Sequence, residues 1–310
     1  MGEKVAIIGA GLIGRSWAVL FARAGHSVRV WDLDEGVRAR VGTECLQLST
    51  TLAEEGLLID PEGTRARITT CETLEDAVAN ASFVQESGPE RVEVKQALYA
   101  QLDTATPPEA IIASSTSAIV ASRFTEELTH RHRCLVGHPV NPPHLVPVVE
   151  LCPAPWTTQE TVDRAYAVYA ALGQVPVRMR RERDGFVLNR LQGALLAEAL
   201  RLVDEGTVSV EGLDNTIRHG LGLRWALIGP METIDLNAPG GITDYAARYG
   251  GFYQRLLEDA PGPEVFSVET AERIAADWPQ DRTPEAVRRR ADRRDRRLAA
   301  LRRHLNSETE

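Results

Sequence analysis

Two stretches of this chain combine residue types at spacings suited to chemistry. The first, Gly9-Ala10-Gly11-Leu12-Ile13-Gly14, fits G-x-G-x-x-G. In that pattern the first glycine permits a tight turn, the second lets backbone approach a pyrophosphate, and the third lets a helix pack close to a strand. Asp32 stands eighteen residues beyond Gly14, where a carboxylate accepts hydrogen bonds from both ribose hydroxyls and repels a 2′-phosphate. Leu33, Asp34 and Glu35 follow with no arginine to receive such a phosphate, so NAD is expected over NADP. FAD at the same fingerprint, or an aspartate that only caps a helix, are the competing readings. The second stretch is His138-Pro139-Val140-Asn141-Pro142-Pro143, a histidine on a loop stiffened by prolines. Glu150 lies twelve residues on, inside Val148-Val149-Glu150-Leu151. A carboxylate among apolar neighbours costs free energy unless it is partnered. A His–Glu pair is a proton-transfer base, the carboxylate fixing the tautomer and stabilising imidazolium.

These residues need elements to hold them. Lys4 to Ile8 reads as an apolar strand, Leu12 to Ala24 as a helix stopped by Gly25, and Val28 to Trp31 as a second strand. A longer amphipathic helix is expected over 36–56. Further strands are expected at 82–85, 110–113, 134–137, 148–151 and 175–178, with helical patterns over Arg91–Leu102 and Ser117–Leu128. Short apolar strands alternating with helices predict an α/β fold, a Rossmann-like, doubly wound and mostly parallel sheet. From Gly185 the pattern turns helical, beginning with a long helix over Phe186–Glu205. The expected division is therefore a dinucleotide-binding domain over 1–184 and an all-α domain over 185–310, its arginine-dense tail a solvated terminal helix.

Composition narrows the function classes. The 310 residues carry 35 Lys+Arg against 44 Asp+Glu, a net charge of −9, a poor balance for gripping a phosphate backbone. No nucleic-acid partner is expected. Cys45, Cys71, Cys134 and Cys152 form no C-x-x-C pair and read as small buried hydrophobes. Neither a leader peptide nor an apolar run of membrane-spanning length is apparent, so a cytoplasmic enzyme with no membrane partner and no metal is expected.

With these motifs in hand, the chain resembles the 3-hydroxyacyl-CoA dehydrogenase family over nearly its whole length. The resemblance rests on Ser114-Ser115-Thr116-Ser117, on His138 with Asn141, on Glu150, and on Gly185-Phe186-Val187-Leu188-Asn189-Arg190. It implies His138, Glu150, Ser117 and Asn189 as catalytic residues. It implies Gly9, Gly11, Leu12, Ile13, Gly14, Asp32, Glu90, Lys95, Ser117 and Asn141 around NAD, and a homodimer formed through the helical domain. Members that use CoA esters carry serine and lysines on the helix after the second strand. Here Val41 to Thr64 contains no Lys or Arg but does contain Glu44, Glu54, Glu55, Asp60 and Glu62, which would repel CoA phosphates. The segments around His138, Gly185 and Gly220–Glu232 are most similar to the branch of the family containing L-gulonate 3-dehydrogenase and lambda-crystallin. That likeness implies oxidation of a free L-3-hydroxy acid, L-gulonate first, with Arg224, in a glycine-bounded turn, gripping its carboxylate. The alternatives are 3-hydroxybutyryl-CoA, carnitine (with Trp156 or Trp225 facing the ammonium), and a non-catalytic crystallin-like NAD-binding protein.

Overall fold

The computed structural model describes residues 2–307, with side chains to 305. Eight strands, β1 (Lys4–Ile8), β2 (Ser27–Trp31), β3 (Ile68–Thr70), β4 (Phe83–Glu86), β5 (Ile111–Ser114), β6 (Cys134–Pro139), β7 (Val148–Pro153) and β8 (Val175–Arg178), form one sheet in the order β3-β2-β1-β4-β5-β6-β7-β8. All neighbours pair in parallel except β6 and β7, which are antiparallel. The helices beside the sheet are α1 (Leu12–Arg23), α2 (Glu35–Glu54), α3 (Pro61–Ala66), α4 (Leu74–Val78), α5 (Val92–Ala105), α6 (Ser122–Thr125) and α7 (Gln159–Ala171).

Side chains alternate across a strand, and β1 shows the consequence. Val5 and Ile7 enter one core with Trp17, Phe21, Val28, Val30 and Tyr169, while Ala6 and Ile8 enter the other with Val84, Tyr99, Ile112 and Val136. Burial on both faces explains why the parallel strands read as short continuous apolar runs. All four cysteines are buried and unbridged. Burial pushes the Cys45 thiol up to about 11 and those of Cys134 and Cys152 up to about 12, so they behave as small apolar side chains.

Contacts divide the chain into two units, 1–187 with 284–310, and 188–283. The first break falls three residues beyond the expected one at 184. The tail differs from expectation in a larger way. Helix α14 (Pro284–Ser307) follows α8 (Leu188–Asp204), α9 (Val210–Thr216), α10 (Gly222–Trp225), α11 (Pro230–Leu236), α12 (Gly241–Glu258) and α13 (Val268–Asp277) in sequence, yet it belongs to the first unit. Ala299 is buried there and Leu298 packs against the same core. Arg302 donates to the carbonyls of His144 and Gly173 at 2.9 and 3.1 Å. A helix with a small apolar stripe and guanidinium donors thus finds carbonyl partners on the sheet unit instead of lying free in solvent.

The second unit is all helical. A π turn over Ile217–Leu221 joins α9 to α10. Among its described residues only Ala199, Thr233, Ala238 and Thr270 are buried. Among the described residues of the whole chain, no helix is long and apolar enough to cross a membrane, and no group of metal-ligating side chains is found.

Candidate functional site

The glycine turn joins β1 to α1 at the carboxyl ends of the central parallel strands, where α/β sheets bind ligands. Gly9 has φ +93°, and a Cβ there would meet the Ser87 carbonyl oxygen at 2.7 Å; a Cβ on Gly14 would meet the Gly9 carbonyl oxygen at 1.8 Å. Both positions therefore require glycine. Helix α1 starts after Gly11 with no side-chain cap, an arrangement that suits phosphate. Asp32 accepts from Ala10 N at 2.7 Å and from Asp34 N at 3.0 Å, so its carboxylate is fixed at the end of β2 beside the turn. A cleft of about 1170 Å³ runs alongside, lined among others by Gly9, Gly11, Asp32, Leu33, Ser87 and Pro89. A carboxylate, a bare helix start and a cleft of this size fit the adenosine and pyrophosphate of a dinucleotide. The capping role goes instead to Asp34, whose Oδ1 accepts from Gly36 N and Val37 N.

The His138–Glu150 pair is set by strand register. Antiparallel pairing of β6 with β7 puts His138 directly opposite Glu150, so the spacing of twelve is one return of the chain. Opposed residues project from the same face, and His138 Nδ1 lies 2.8 Å from Glu150 Oε2. An ionised carboxylate only accepts, so Nδ1 is the nitrogen that donates to Glu150, and Nε2 is the ring nitrogen not engaged by that contact. Both side chains are buried, at 5% and 2% exposure. Glu150 Oε1 accepts from Val187 N at 2.8 Å. That contact explains the Gly185-Phe186 pair: Gly185 has φ +72° and Phe186 φ +49°, two successive left-handed residues that turn Val187 N toward the carboxylate. The Phe186 ring, also buried, lies 5.2 Å from the His138 ring. A non-glycine residue in this region costs about 1–2 kcal/mol, offset here by the hydrogen bond and the ring contact.

Ser117 sits in the loop after β5, where Glu90 gathers the backbone. Glu90 accepts from Thr116 Oγ1, from Ser117 N at 3.2 Å and from Ala118 N at 3.1 Å. This explains why the expected helix over 117–128 shrinks to α6: the loop amides serve a carboxylate instead of a helical ladder. Glu90 therefore shapes the loop that presents Ser117. Lys95, expected at the cofactor, is held within the sheet unit by its neighbours. It is 1% exposed, and Nζ donates to both Glu86 oxygens at 2.8 Å and to Ser114 Oγ at 3.3 Å. Because Glu86 also accepts from Gly88 N at 2.6 Å, Lys95 acts on the cleft through the loops it anchors.

Residues 4–183 match the model for 3-hydroxyacyl-CoA dehydrogenase, NAD binding domain, and residues 185–266 the model for 3-hydroxyacyl-CoA dehydrogenase, C-terminal domain. The chain belongs to the 3-hydroxyacyl-CoA dehydrogenase family. It is 48% identical over 277 residues to a lambda-crystallin homolog of Bos taurus, covering 87% of this chain and 85% of that protein. It is 42% identical over 251 residues to L-carnitine dehydrogenase of Streptomyces griseus, covering 80% and 74% of the two chains. Among solved structures it resembles an NAD+ dependent dismutase, 5-formyl-3-hydroxy-2-methylpyridine 4-carboxylic acid 5-dehydrogenase, with TM-score 0.85, 28% identity and 99% coverage of each chain. NAD is the cofactor of this family member, in agreement with the glycine turn and Asp32.

The other expected residues lie on several elements. Leu12 is exposed beside the turn and Ile13 half-buried, while Asn141 is exposed at the start of the loop that follows β6. Asn189 stands in the first turn of α8. Arg224 is exposed on α10, within continuous helix and not in a glycine-bounded turn. Sequence reasoning missed His144, whose Nδ1 lies 3.0 Å from Ser16 Oγ and whose pKa burial lowers to about 4. It missed Arg38 as well, which lies six residues past Asp32 and folds back on it. The helical lean of a side chain toward the amino end was the available signal for Arg38.

Proposed function

We propose that this family member oxidises the secondary alcohol of a free L-3-hydroxy acid, L-gulonate first among candidates. The observation that carries the reaction is the buried His138–Glu150 pair, with His138 Nδ1 held 2.8 Å from Glu150 Oε2. NAD, when bound, supplies the electron acceptor at nicotinamide C4. His138 Nε2 takes the hydroxyl proton. Glu150, anchored by Val187 N, stabilises the imidazolium that results. Ser117 and Asn189 are assigned, on the family resemblance, to hydrogen-bond the substrate oxygen as it becomes a carbonyl, and Arg224 to hold the substrate carboxylate.

A free acid is favoured over a CoA ester by the surroundings of α2. Its carboxylates Glu44, Glu54 and Glu55 line a cleft together with Asp292 and Asp295 of α14, so a CoA chain laid along α2 would meet a helix and five acids. Three arginines of that cleft, Arg15, Arg288 and Arg296, lie among those acids. The relatives also include L-carnitine dehydrogenase, and carnitine is the second reading. Against it, Trp156, a candidate aromatic wall, already carries the Arg131 guanidinium 4.5 Å over its ring.

A homodimer through the second unit belongs to the same proposal. Tyr249, Phe252, Tyr253 and Leu256 of α12 are all exposed in the single chain and share one helical face by their spacing. The test of substrate is NADH formation from L-gulonate, L-carnitine and 3-hydroxybutyryl-CoA, offered separately at equal concentration. Fastest turnover of L-gulonate is expected. Preference for the CoA ester would overturn the free-acid reading, and an His138→Ala variant with undiminished turnover would overturn the base.

A further inference from the structure

Arg38 occupies an unusual place for a chain that uses NAD. From the first turns of α2 its Nη1 donates to the Asp32 carbonyl at 2.8 Å and to the Leu33 carbonyl at 3.3 Å. Its guanidinium is thus held at the residue whose carboxylate faces the ribose. Nη2 lies 3.5 Å from Glu35 Oε1 and 3.6 Å from Glu72 Oε2. The Arg38 side chain is mostly buried, whereas both glutamates are largely exposed. Beyond the dinucleotide cleft a second hollow of about 680 Å³ opens, lined by Arg38, Arg65, Glu35 and Glu72 among others. Glu35 lines both hollows. Arg65 is fixed in that wall by its bonds to the Gly42 and Ile68 carbonyls, both at 2.9 Å.

A guanidinium beside the second ribose-facing strand, with room next to it, is how a 2′-phosphate is received. Here the same guanidinium faces two carboxylates. We propose that Arg38 is a latent 2′-phosphate ligand, and that Glu35 and Glu72 are specificity-determining residues that keep it neutralised. Discrimination against NADP is then built in two layers: Asp32 repels the phosphate directly, and the two glutamates occupy the cation that would compensate. The proposal rests on assigning the larger cleft to the adenosine half of NAD. It extends that assignment to a ligand class, ribose 2′-phosphate esters.

The test uses binding alone. Dissociation constants of 5′-AMP and of 2′,5′-ADP are measured by titration calorimetry on the full chain in an Asp32→Asn background, which lowers the direct repulsion. Adding Glu35→Gln with Glu72→Gln is expected to tighten 2′,5′-ADP roughly three- to tenfold, the scale of two exposed ion pairs released, with 5′-AMP changed less than about twofold. The same pair of changes is then made with Arg38→Met present. If the glutamates act by holding Arg38, the gain vanishes there. An equal gain with and without Arg38 would mean only that negative charge was removed, and would overturn the proposal, as would no gain with Arg38 in place. Loss of 5′-AMP binding in the unmodified chain would instead refute the site assignment beneath it.

Discussion

The sheet unit and the helical unit solve the burial problem in opposite ways. In the sheet unit even charges are enclosed: Glu86 and Lys95 are at 0% and 1% exposure and satisfy each other. The helical unit has long amphipathic helices, yet among its described residues only four are buried. Leu191, Leu195 and Leu196 of α8 and the aromatic face of α12 stand exposed. Exposed patches of this kind mark association surfaces. The sheet unit encloses its apolar side chains within itself, whereas the proposed dimer would cover those that the helical unit leaves exposed. Protein concentration is therefore the variable that separates them.

The largest expected effect falls inside the sheet unit. Lys95→Met strands the Glu86 carboxylate in the core, which costs about 3–5 kcal/mol when one member of a buried pair is removed. The loss should appear as a lower urea midpoint that does not move with protein concentration. Changing Glu86→Gln as well should recover part of it, because the two sites are coupled. A single variant within about 1 kcal/mol of the parent would show the pair to be dispensable.

His144 offers a second, pH-dependent test of the same self-sufficiency. It is buried between Ser16 and the cleft beneath α14, where Asp295, Arg302, Arg23 and Arg294 also bear on it. Burial lowers its pKa from 6.5 to about 4, so the folded state holds it neutral while the unfolded chain protonates it first. Its contribution is complete above about pH 6.5 and drains away as pH falls toward 4, a loss of about 3 kcal/mol. An His144→Asn variant should show a flatter stability profile across that window. Identical slopes would remove His144 from the account of acid sensitivity.

A smaller effect is expected at Gly137. A Cβ there would meet the Tyr169 hydroxyl at 2.2 Å, and that hydroxyl is held 2.5 Å from Gln85 Oε1 within the core. Gly137→Ala should cost about 1–3 kcal/mol, the usual penalty of overpacking. Tyr169→Phe in the same chain removes the nearest colliding atom and leaves ring Cζ at 2.9 Å, so the denaturation midpoint should rise part of the way toward that of Tyr169→Phe alone. If the double variant is no better than Gly137→Ala, the clash is not with the hydroxyl.

The contrast between the units also explains what could be read from sequence. Strands buried on both faces announce themselves as apolar runs, and seven of the eight were legible within two residues at each end. Ile68-Thr69-Thr70 was not, being a three-residue edge strand with one apolar side chain facing the core. The His138–Glu150 pair was legible because register converts a local spacing into a contact. Contacts across long separations gave no such sign: Ser16 meets His144 over 128 residues and Arg302 reaches its carbonyl over 158. The periodicity of Leu298 and Leu301 announces a helix but not which surface it covers. The Lys95–Glu86 pair gave no sign either, because a motif match specifies a position in the chain, not the partner its side chain finds.

The smallest expected change in folding, and the sharpest test of the comparison, is on α12. Leu256 is exposed, one helical turn from Phe252 and Tyr253. Leu256→Glu should change the folding free energy of an isolated chain by less than about 0.5 kcal/mol, as expected of an exposed position. In an assembled protein the same change places a charge in an apolar contact, where it lacks a partner. Sedimentation equilibrium over a range of loading concentrations distinguishes the two situations. The parent is expected to sediment as a dimer and Leu256→Glu to shift toward monomer, while the urea transition of the sheet unit stays where it was. If the variant associates as the parent does, the α12 face is not the interface. If the sheet unit's transition falls along with the assembly, the stability of that unit depends on association, and the contrast drawn from burial fails.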